Sequence, residues 1–465
     1  MRVLVQYHHS PDLHAAALAV AGFADVAPLL GASMPGFIVD STFPAVQLPR
    51  PLAMIAGASP FALAQPLSFS SEPTQSTYLL RGQIPDDPLG RNRALAAANA
   101  NPNVAGIFAD PVIESCPICP GSPPLGSAAD VARLLGVSRL ANNGFDGSSV
   151  FVAVVDTGIN LPYLATQGRT PKLDIGNSWT PAGVTTTPGQ HPTDHGTMCA
   201  YDVGIAAPQA TLLDHAVLLS RKTGQTTMSG LLSDAVLAYS QLLTLVSGMP
   251  AQSRRLVVSN SWGMFSPQWD FPVGHPGNYS DNPAHPFNVI VSSLENAGAD
   301  ILFAAGNCGH DCADSRCEFG TTPPICGANS HPKVISVAGI DTTKNRVGYS
   351  SQGPGRLSAN KPDLAAYTHF KGSLVYPEDG GTSAACPVAA GVVAAFRTKY
   401  SSSELSPAQL RTVLYKTSED LGAVGFDYDY GWGGINPAAA AVELSRSAAQ
   451  SPKPPKRKRP EKKRH

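Results

Sequence analysis

Short apolar runs, each about the length of a strand, recur through the middle and C-terminal parts of this 465-residue chain; they are residues 153–155, 210–213, 255–258, 301–305 and 334–338. Helical stretches, such as residues 228–245 and 289–299, separate them. Strands that alternate with helices form a doubly wound, mostly parallel sheet, in which active residues gather at the carboxyl ends of the strands. The sequence therefore predicts an α/β fold of this kind.

The chain is large enough to bury a sizeable core and to hold two domains, since 43% of its residues are hydrophobic and only 14% are charged. We predict a body at residues 128–446 and a smaller α+β unit at residues 1–114, with strands near 2–7, 77–84 and 104–108 and helices near 11–22 and 88–99. Residues 115–127 read as a linker, and residues 447–465 as a disordered basic tail.

The linker is rich in proline and glycine and carries Cys116 and Cys119. A C-x-x-C pair can be redox-active in a βαβ setting or can hold zinc together with a second pair. On an exposed proline-rich segment, a local disulfide or two free thiols are the favoured interpretations. The same composition makes this segment a natural place for cleavage.

Ser383 lies in a run of small residues at positions 380–391, just before an Ala/Val-rich segment that reads as a buried helix. A serine at a helix N-terminus offers its oxygen beside free backbone N–H groups and the positive end of the helix dipole, which suits an anionic intermediate. A lone serine there is ordinarily a helix cap. A nucleophilic serine needs a base and a carboxylate to orient that base.

Both partners have candidates in the sequence. Asp156 ends the apolar run 150–155 at a strand tip, and His195 follows a loop rich in Pro, Thr and Gly and opens a short helix. The chain order Asp, His, Ser matches one of the known triad orders. Asp194 is a rival for the orienting role, but it would have to fold back on the histidine that follows it. By contrast, Cys199 and Cys386 read as small buried hydrophobes rather than nucleophiles.

These three segments resemble those of the subtilisin-like serine proteases, and the likeness covers about residues 131–444. Residues 349–353, 361–363 and 431–437 also resemble family segments. The resemblance implies a serine endopeptidase with Asp156, His195 and Ser383 as its triad. A catalytically inactive, peptide-binding scaffold of the same fold is the alternative, and the presence of every chemical group speaks against it.

The resemblance also implies roles for two further segments. Ser261, Trp262 and Gly263 match the family's substrate-binding strand, and the tryptophan suggests bulky pocket walls. Ala305 and Gly306 are expected to bind substrate as well. They precede Asn307, which matches the asparagine that donates to the oxyanion.

The first unit looks like a poorly matched version of the family's propeptide, which acts as a folding template and inhibitor. We therefore expect residues 1–114 to act as an intramolecular inhibitor of a self-processing zymogen, with cleavage between Glu114 and Ala129. A separate interaction domain is the alternative for this unit.

Four cysteines follow Asn307 closely and are expected to form a wall of the pocket for the residue before the scissile bond; they are Cys308, Cys312, Cys317 and Cys326. Together with His310 they are compatible with a closed zinc site or with two disulfides. We favour disulfides, because the paired knuckle spacing of common zinc sites is missing.

The chemistry itself requires no cofactor. The family's usual calcium loop looks absent, because the connection after His195 is short. Calcium remains possible at other carboxylates such as Asp174, Asp281 or Asp311, although none lies in a recognisable loop of alternating oxygen ligands.

The sequence shows neither a secretory signal at its start nor a membrane-spanning stretch, which predicts a cytoplasmic protein without membrane contact. The cysteine cluster instead suggests an oxidising compartment. From Lys453 to His465 there are eight Lys/Arg and one Glu, which leaves 25 basic and 33 acidic residues elsewhere. Because the body offers no basic face to continue this tail, nucleic-acid binding is not the favoured interpretation.

Overall fold

The computed structural model describes residues 1–8, 10, 34, 36–48, 77–115, 122–220, 228–313, 317 and 324–450. Its strands are β1 Arg2–His8, β2 Ile38–Val39, β3 Val46–Leu48, β4 Thr77–Gln83, β5 Val104–Ala109, β6 Val112–Ser115, β7 Phe151–Val155, β8 Lys172–Leu173, β9 Thr211–His215, β10 Ser229–Leu231, β11 Leu256–Asn260, β12 Trp262–Gly263, β13 Ala299–Ala304, β14 Ile335–Ile340 and β15 Leu364–Tyr367. Its helices are α1 Pro88–Ala100, α2 Ala128–Leu134, α3 Val137–Asn142, α4 Leu161–Thr166, α5 His195–Ala206, α6 Leu232–Gly248, α7 Pro286–Asn296, α8 Gly381–Arg397, α9 Pro407–Thr417 and α10 Pro437–Gln450.

Seven parallel strands form the central sheet, in the order β15-β14-β13-β11-β7-β9-β8. Side chains alternate between its two faces, so Val152 and Val154 enter one apolar layer while Ala153 and Val155 enter the other. Helices α5 and α8 pack in the first layer, and α6 and α7 pack in the second. The predicted doubly wound α/β fold is confirmed.

Helices α5 and α8 approach each other closely because their facing residues are small. A Cβ atom placed on Gly391 of α8 would lie only 2.5 Å from the carbonyl oxygen of Val203 in α5. The two helices that begin at the predicted histidine and serine segments are thus held in close contact.

The N-terminal unit has its own antiparallel sheet, in the order β2-β4-β1-β5, with β3 also paired to β4. One face of this sheet packs with α1 in a separate apolar cluster. The other face contributes Leu4, Leu79 and Phe108 to the layer that contains α6.

A third sheet joins the unit to the body. Strand β6 is its middle strand and runs antiparallel to both β10 and β12. The chain that leaves the N-terminal unit is therefore held between two edges of the body.

Some details differ from the sequence predictions. The helix of the serine segment begins at Gly381, which places Ser383 within its first turn. Strand β15 was not predicted, and α10 continues to Gln450. The predicted helix at 11–22 and the pair Cys116 and Cys119 lie outside the described residues. Across the part of the chain that is described, helices fall short of the length and apolarity that crossing a bilayer requires.

Candidate active site

Asp156 and His195 form a direct pair at the carboxyl edge of the central sheet. Asp156 follows β7, and His195 is the first residue of α5. The imidazole Nδ1 lies 2.8 Å from one carboxylate oxygen of Asp156 and 3.0 Å from the other. The backbone N–H of Thr157 also donates to this carboxylate, at 2.7 Å. The carboxylate is therefore fixed and holds the ring with Nδ1 as the donor.

The negative charge of Asp156 favours the protonated form of the His195 imidazole. Burial lowers the pKa of His195, but the negative charge and hydrogen bond of Asp156, with a contribution from Asp194, outweigh burial and leave the pKa raised. The other ring nitrogen, Nε2, is buried and has no hydrogen-bond partner among the described residues. It is the atom available to accept a proton.

Ser383 lies next to this pair, although its hydroxyl is turned elsewhere. The Oγ donates to the carbonyl oxygen of Ser261 at 3.5 Å. The thiol of Cys199, one turn after His195, contacts the carbonyl oxygen of Ser383 at 3.6 Å and the imidazole Nδ1 at 3.8 Å. The structure thus brings Asp156 and His195 into contact and places Ser383 beside them, without a hydrogen bond between the hydroxyl and the imidazole.

The two cysteines of this region are buried thiols. Burial raises the pKa of Cys199 well above its usual value and that of Cys386 to about 12. Cys386 contacts the carbonyl oxygen of Asn260 at 3.5 Å. Protonated thiols in such surroundings are poor nucleophiles.

Asn307 lies just beyond β13, fully buried beside the start of α8. Its Oδ1 accepts from the backbone N–H of Thr382 at 2.9 Å and from the Thr382 hydroxyl at 3.0 Å. With the oxygen held in this way, the amide nitrogen is directed to the other side, and it would lie 2.8 Å from a Cβ on Gly381. The φ of +73° at Gly381 is in the left-handed region, so the close approach and the backbone conformation both favour glycine there.

The segment around Ser261 forms one side of an extended-peptide groove. Ser115 of β6 pairs with Trp262, and Glu114 pairs with Gly263. Because the strands are antiparallel, β6 runs toward the end of β12 at which Ser261 lies. Its C-terminal end therefore points toward Ser383.

Trp262 contributes only its backbone to this groove. Its side chain is fully buried and packs against Phe287 and Phe303, with ring centroids 5.8 and 5.1 Å away. The expectation that the indole supplies a bulky wall is wrong, because strand alternation turns this side chain toward the core.

Ala305 and Gly306 line a small pocket beside the groove, together with Cys308 of the same segment and with residues from three other segments, among them Gly263, Phe265, Ile325, Cys326 and Ser351. The wall that the cysteine loop was expected to provide is in part present, through Cys308 and Cys326. Among the described residues that line it, none carries a charged side chain.

The cysteine loop is closed by a disulfide between Cys308 and Cys317. Cys312 is disulfide-bonded as well, whereas Cys326 is a free, buried thiol. The Cys326 thiol contacts the carbonyl oxygen of Pro324 at 3.4 Å, and burial raises its pKa to about 12. The prediction of two disulfides among these four cysteines is therefore wrong at Cys326. A zinc site of four thiolates is also ruled out, because Cys308 and Cys317 are oxidised.

Asp194 does not replace Asp156 as the orienting group. Its Oδ1 accepts from the backbone N–H of His195 at 2.9 Å, which caps α5, and it also accepts from the hydroxyl of Tyr376. It therefore acts on the imidazole only through its charge.

The carboxylates named as calcium candidates are engaged by protein donors. Asp174 accepts from Asn177, Asp281 accepts from Gly274, and Asp311 pairs with Arg346. Within the described ranges, the group of three potential ligands that lies close together is Asp156, His195 and Cys199. An imidazole and a thiol do not suit calcium, which prefers oxygen ligands.

Sequence reasoning missed several residues of this region. Strand β10 forms the second side of the groove, with Ser229 opposite Glu114, but a three-residue Ser-Gly-Leu segment carries no strand signature. Thr382, which fixes the amide of Asn307, is adjacent to Ser383 and could have been found from that position alone. The carboxyl groups of Asp202 and Asp379 are distant in sequence and gave no signal.

Comparison with known proteins finds a matching family model and several similar proteins. A family model described as the subtilase family matches residues 147–433. Subtilisin E of Bacillus subtilis (strain 168) is 26% identical over 313 residues, which covers 65% of this chain and 68% of that protein. Subtilisin DY of Bacillus licheniformis is 27% identical over 317 residues, covering 66% and 96%. A protein named calcium-dependent protease, from Trichormus variabilis, is 27% identical over 347 residues, covering 66% and 48%.

Proposed function

Since this chain belongs to the subtilase family, we propose that it is a serine endopeptidase that is made as a zymogen and released by its own active site. One observation carries this proposal: strand β6 occupies the groove between β10 and β12 as an extended peptide and points toward Ser383. A groove that accepts an internal segment of a chain suits an endopeptidase, and strand addition is a common mode of peptide recognition.

The reaction follows from the positions of the side chains. The Ser383 oxygen attacks the peptide carbonyl carbon while its proton passes to Nε2 of His195, and Asp156 stabilises the resulting imidazolium. The C–N bond breaks as the imidazolium gives that proton to the departing amine. Water then hydrolyses the acyl-enzyme by the same proton transfers in reverse order.

The negative charge of each tetrahedral intermediate requires fixed donors. The amide of Asn307 and the backbone N–H of Ser383 supply them, because the Asn307 oxygen is already occupied by Thr382. To reach the productive arrangement, the Ser383 hydroxyl must rotate away from the Ser261 carbonyl toward the imidazole. Such hydrogen bonds commonly tighten only when substrate is bound.

The N-terminal unit acts as the inhibitor in this proposal. The backbone N–H of Ser115 donates to the carbonyl oxygen of Met228 at 3.1 Å, and the Ser229 hydroxyl donates to the carboxylate of Glu114 at 3.3 Å. With β6 in place, another peptide has no access to the same edges. We expect cleavage between Glu114 and Ala129, since tethering presents this segment to the site at an effective concentration in roughly the millimolar range.

No step of this reaction uses a metal. The name of the Trichormus relative refers to calcium, whereas the reaction proposed for this chain assigns its chemistry to Asp156, His195, Ser383 and Asn307.

Covalent labelling tests the enzymatic function directly. A fluorophosphonate probe should label the processed wild-type protein at Ser383 and leave Ser383→Ala unlabelled, with peptide mapping to locate the adduct. If processed, folded wild-type protein fails to react and hydrolyses no peptide of a random library, the inactive peptide-binding scaffold would be the better account.

A further inference from the structure

Helix α5 carries a buried carboxyl group that the proposed reaction does not use. Asp202 lies about two turns after His195 and is fully buried. Neither of its carboxyl oxygens receives a hydrogen bond from a described residue. An ionised carboxylate without donors is very costly in such a place.

The group that faces Asp202 is a second buried carboxyl, that of Asp379. Asp379 ends the segment 370–379, whose two ends pair through backbone hydrogen bonds between Phe370 and Asp379. Four residues later the chain reaches Ser383. This segment, here called the approach hairpin, leads into the start of α8 and therefore helps to fix the position of Ser383.

The two carboxyl groups differ in what their surroundings offer. Asp379 accepts hydrogen bonds from the backbone N–H and from the hydroxyl of Ser373, both at 2.6 Å. These two donors stabilise its ionised form. Among the described residues no donor reaches Asp202, so its carboxyl group is satisfied there only if it carries a proton and donates it to Asp379. Two buried carboxyl groups in contact do not both ionise near neutral pH.

Other charged and titratable groups face the pair. Arg169 attracts the charge of Asp202, but its guanidinium donates to the carbonyl oxygen of Gly204 at 2.9 Å and lies over the ring of Tyr201. Glu378 acts on Asp379 from the hairpin, and the hydroxyl of Tyr163 donates to the carbonyl oxygen of Ser373.

The balance of these groups leaves the proton on Asp202. Burial and then the charge of Asp379 raise the pKa of Asp202 well above its usual value. Burial raises the pKa of Asp379 to about 6 against the hydrogen bonds from Ser373. At neutral pH one proton remains, and it lies on the group that has no other donor.

We propose that Asp202 and Asp379 share one proton, and that the hydrogen bond from Asp202 to Asp379 holds the approach hairpin on α5 and so positions Ser383 relative to His195. Both are positioning residues, since neither touches the reacting atoms. The hairpin has a second contact with the same helix, because the hydroxyl of Tyr376 donates to Asp194 at the start of α5. Breaking the carboxyl pair should therefore disturb the alignment of two otherwise intact catalytic groups.

The first test does not depend on activity. In full-length Ser383→Ala protein, equilibrium unfolding by denaturant is compared with that of the same protein carrying Asp202→Asn, whose amide can donate to Asp379 but does not titrate. A pKa raised on folding gives stability that is complete below the unfolded pKa and is lost as pH rises toward the folded pKa. Above about pH 6.5, where Asp379 is ionised, the unfolding constant of the Asp202 protein should therefore rise with pH relative to that of the Asn protein, by up to about tenfold per pH unit.

The second test measures alignment and rests on the proposed function. On a peptide substrate at neutral pH, Asp202→Asn should keep kcat within about twofold, whereas Asp202→Val, of similar volume but without a donor, should lose about tenfold in kcat with little change in KM. A pH-independent ratio of unfolding constants, or an Asn variant as impaired as the Val variant, would overturn the proposal. Absence of all hydrolysis by the wild-type protein would refute the proposed function and leave the unfolding comparison valid.

Discussion

The packing inside the body differs in kind from the contact that joins the N-terminal unit to the body. Inside the body, α5 and α8 meet through small residues, with no space at Gly391 for even a methyl group. The unit has a separate apolar cluster and joins the body partly through charged groups, with Arg81 3.1 Å from Asp234 and the carboxylate of Asp110 accepting from the backbone N–H of Ser233. Water can replace contacts of the second kind. The difference is suited to a unit that leaves while the body keeps its geometry.

The largest effect is expected inside the body, at the oxyanion position. Asn307→Ala should lower kcat by about a hundredfold to a thousandfold, because one donor to the intermediate is lost. That magnitude is borrowed from a subtilisin, which is a member of the same family. Steady-state kinetics with a peptide substrate measures it, and an unchanged kcat would remove Asn307 from the site.

The contact between unit and body is tested at Arg81. Its side chain is about one-tenth exposed and also pairs with Asp40 at 3.0 Å. Arg81→Gln leaves the buried carboxylate of Asp234 without its cation and should weaken the docking of the unit by about 2–4 kcal/mol. When Arg81→Gln is introduced into full-length Ser383→Ala protein, this weaker docking should appear as faster backbone amide hydrogen exchange at residues 112–115.

A matched control lies in the body. Lys344 and Glu419 form an exposed pair at 2.7 Å, and Lys344→Gln should change stability by less than about 1 kcal/mol. Equal exchange at residues 112–115 in the Arg81 and Lys344 variants would mean that charge does not hold the unit.

The packing of the body predicts a smaller loss at Gly391. Gly391→Ala should destabilise the protein by roughly 1–3 kcal/mol, because the new methyl group meets the backbone of Val203. Gly248, at the end of α6, has nothing within 4 Å of the position that an added methyl group would take, and Gly248→Ala should be neutral or stabilising. Equal denaturation midpoints for the two variants would contradict the close packing.

These comparisons also show what the sequence could predict. The strand before Asp156 was visible because Val-rich apolar runs are local signals, and the position of Ser383 followed from its small-residue segment. Strand β15 was missed because Leu-Ala-Ala-Tyr is short and lacks β-branched residues. The contacts of Arg81 with Asp234 and of Asp202 with Asp379 join positions that are more than 150 residues apart in sequence. No local pattern specifies such pairs, and the same holds for which cysteines bond.

The smallest effect concerns pH. His195 must be neutral to accept a proton, and the charge of Asp194 helps to keep its pKa raised. Asp194→Asn retains the helix cap but removes that charge, so the pKa of His195 should fall and the acid limb of kcat/KM should move to lower pH. On that limb we expect about a twofold gain in kcat/KM, and a shift toward higher pH would contradict the assigned sign.

The most direct measurement of the whole account is the N-terminal sequence of the active enzyme, read together with the fragment pattern. Wild-type protein should yield two fragments of about 12 and about 36 kDa, at roughly 105 Da per residue, with the larger beginning between Glu114 and Ala129. Ser383→Ala should remain one intact chain. An active wild-type enzyme that still begins at Met1, with the first unit covalently attached, would contradict the zymogen and favour an interaction domain at residues 1–114.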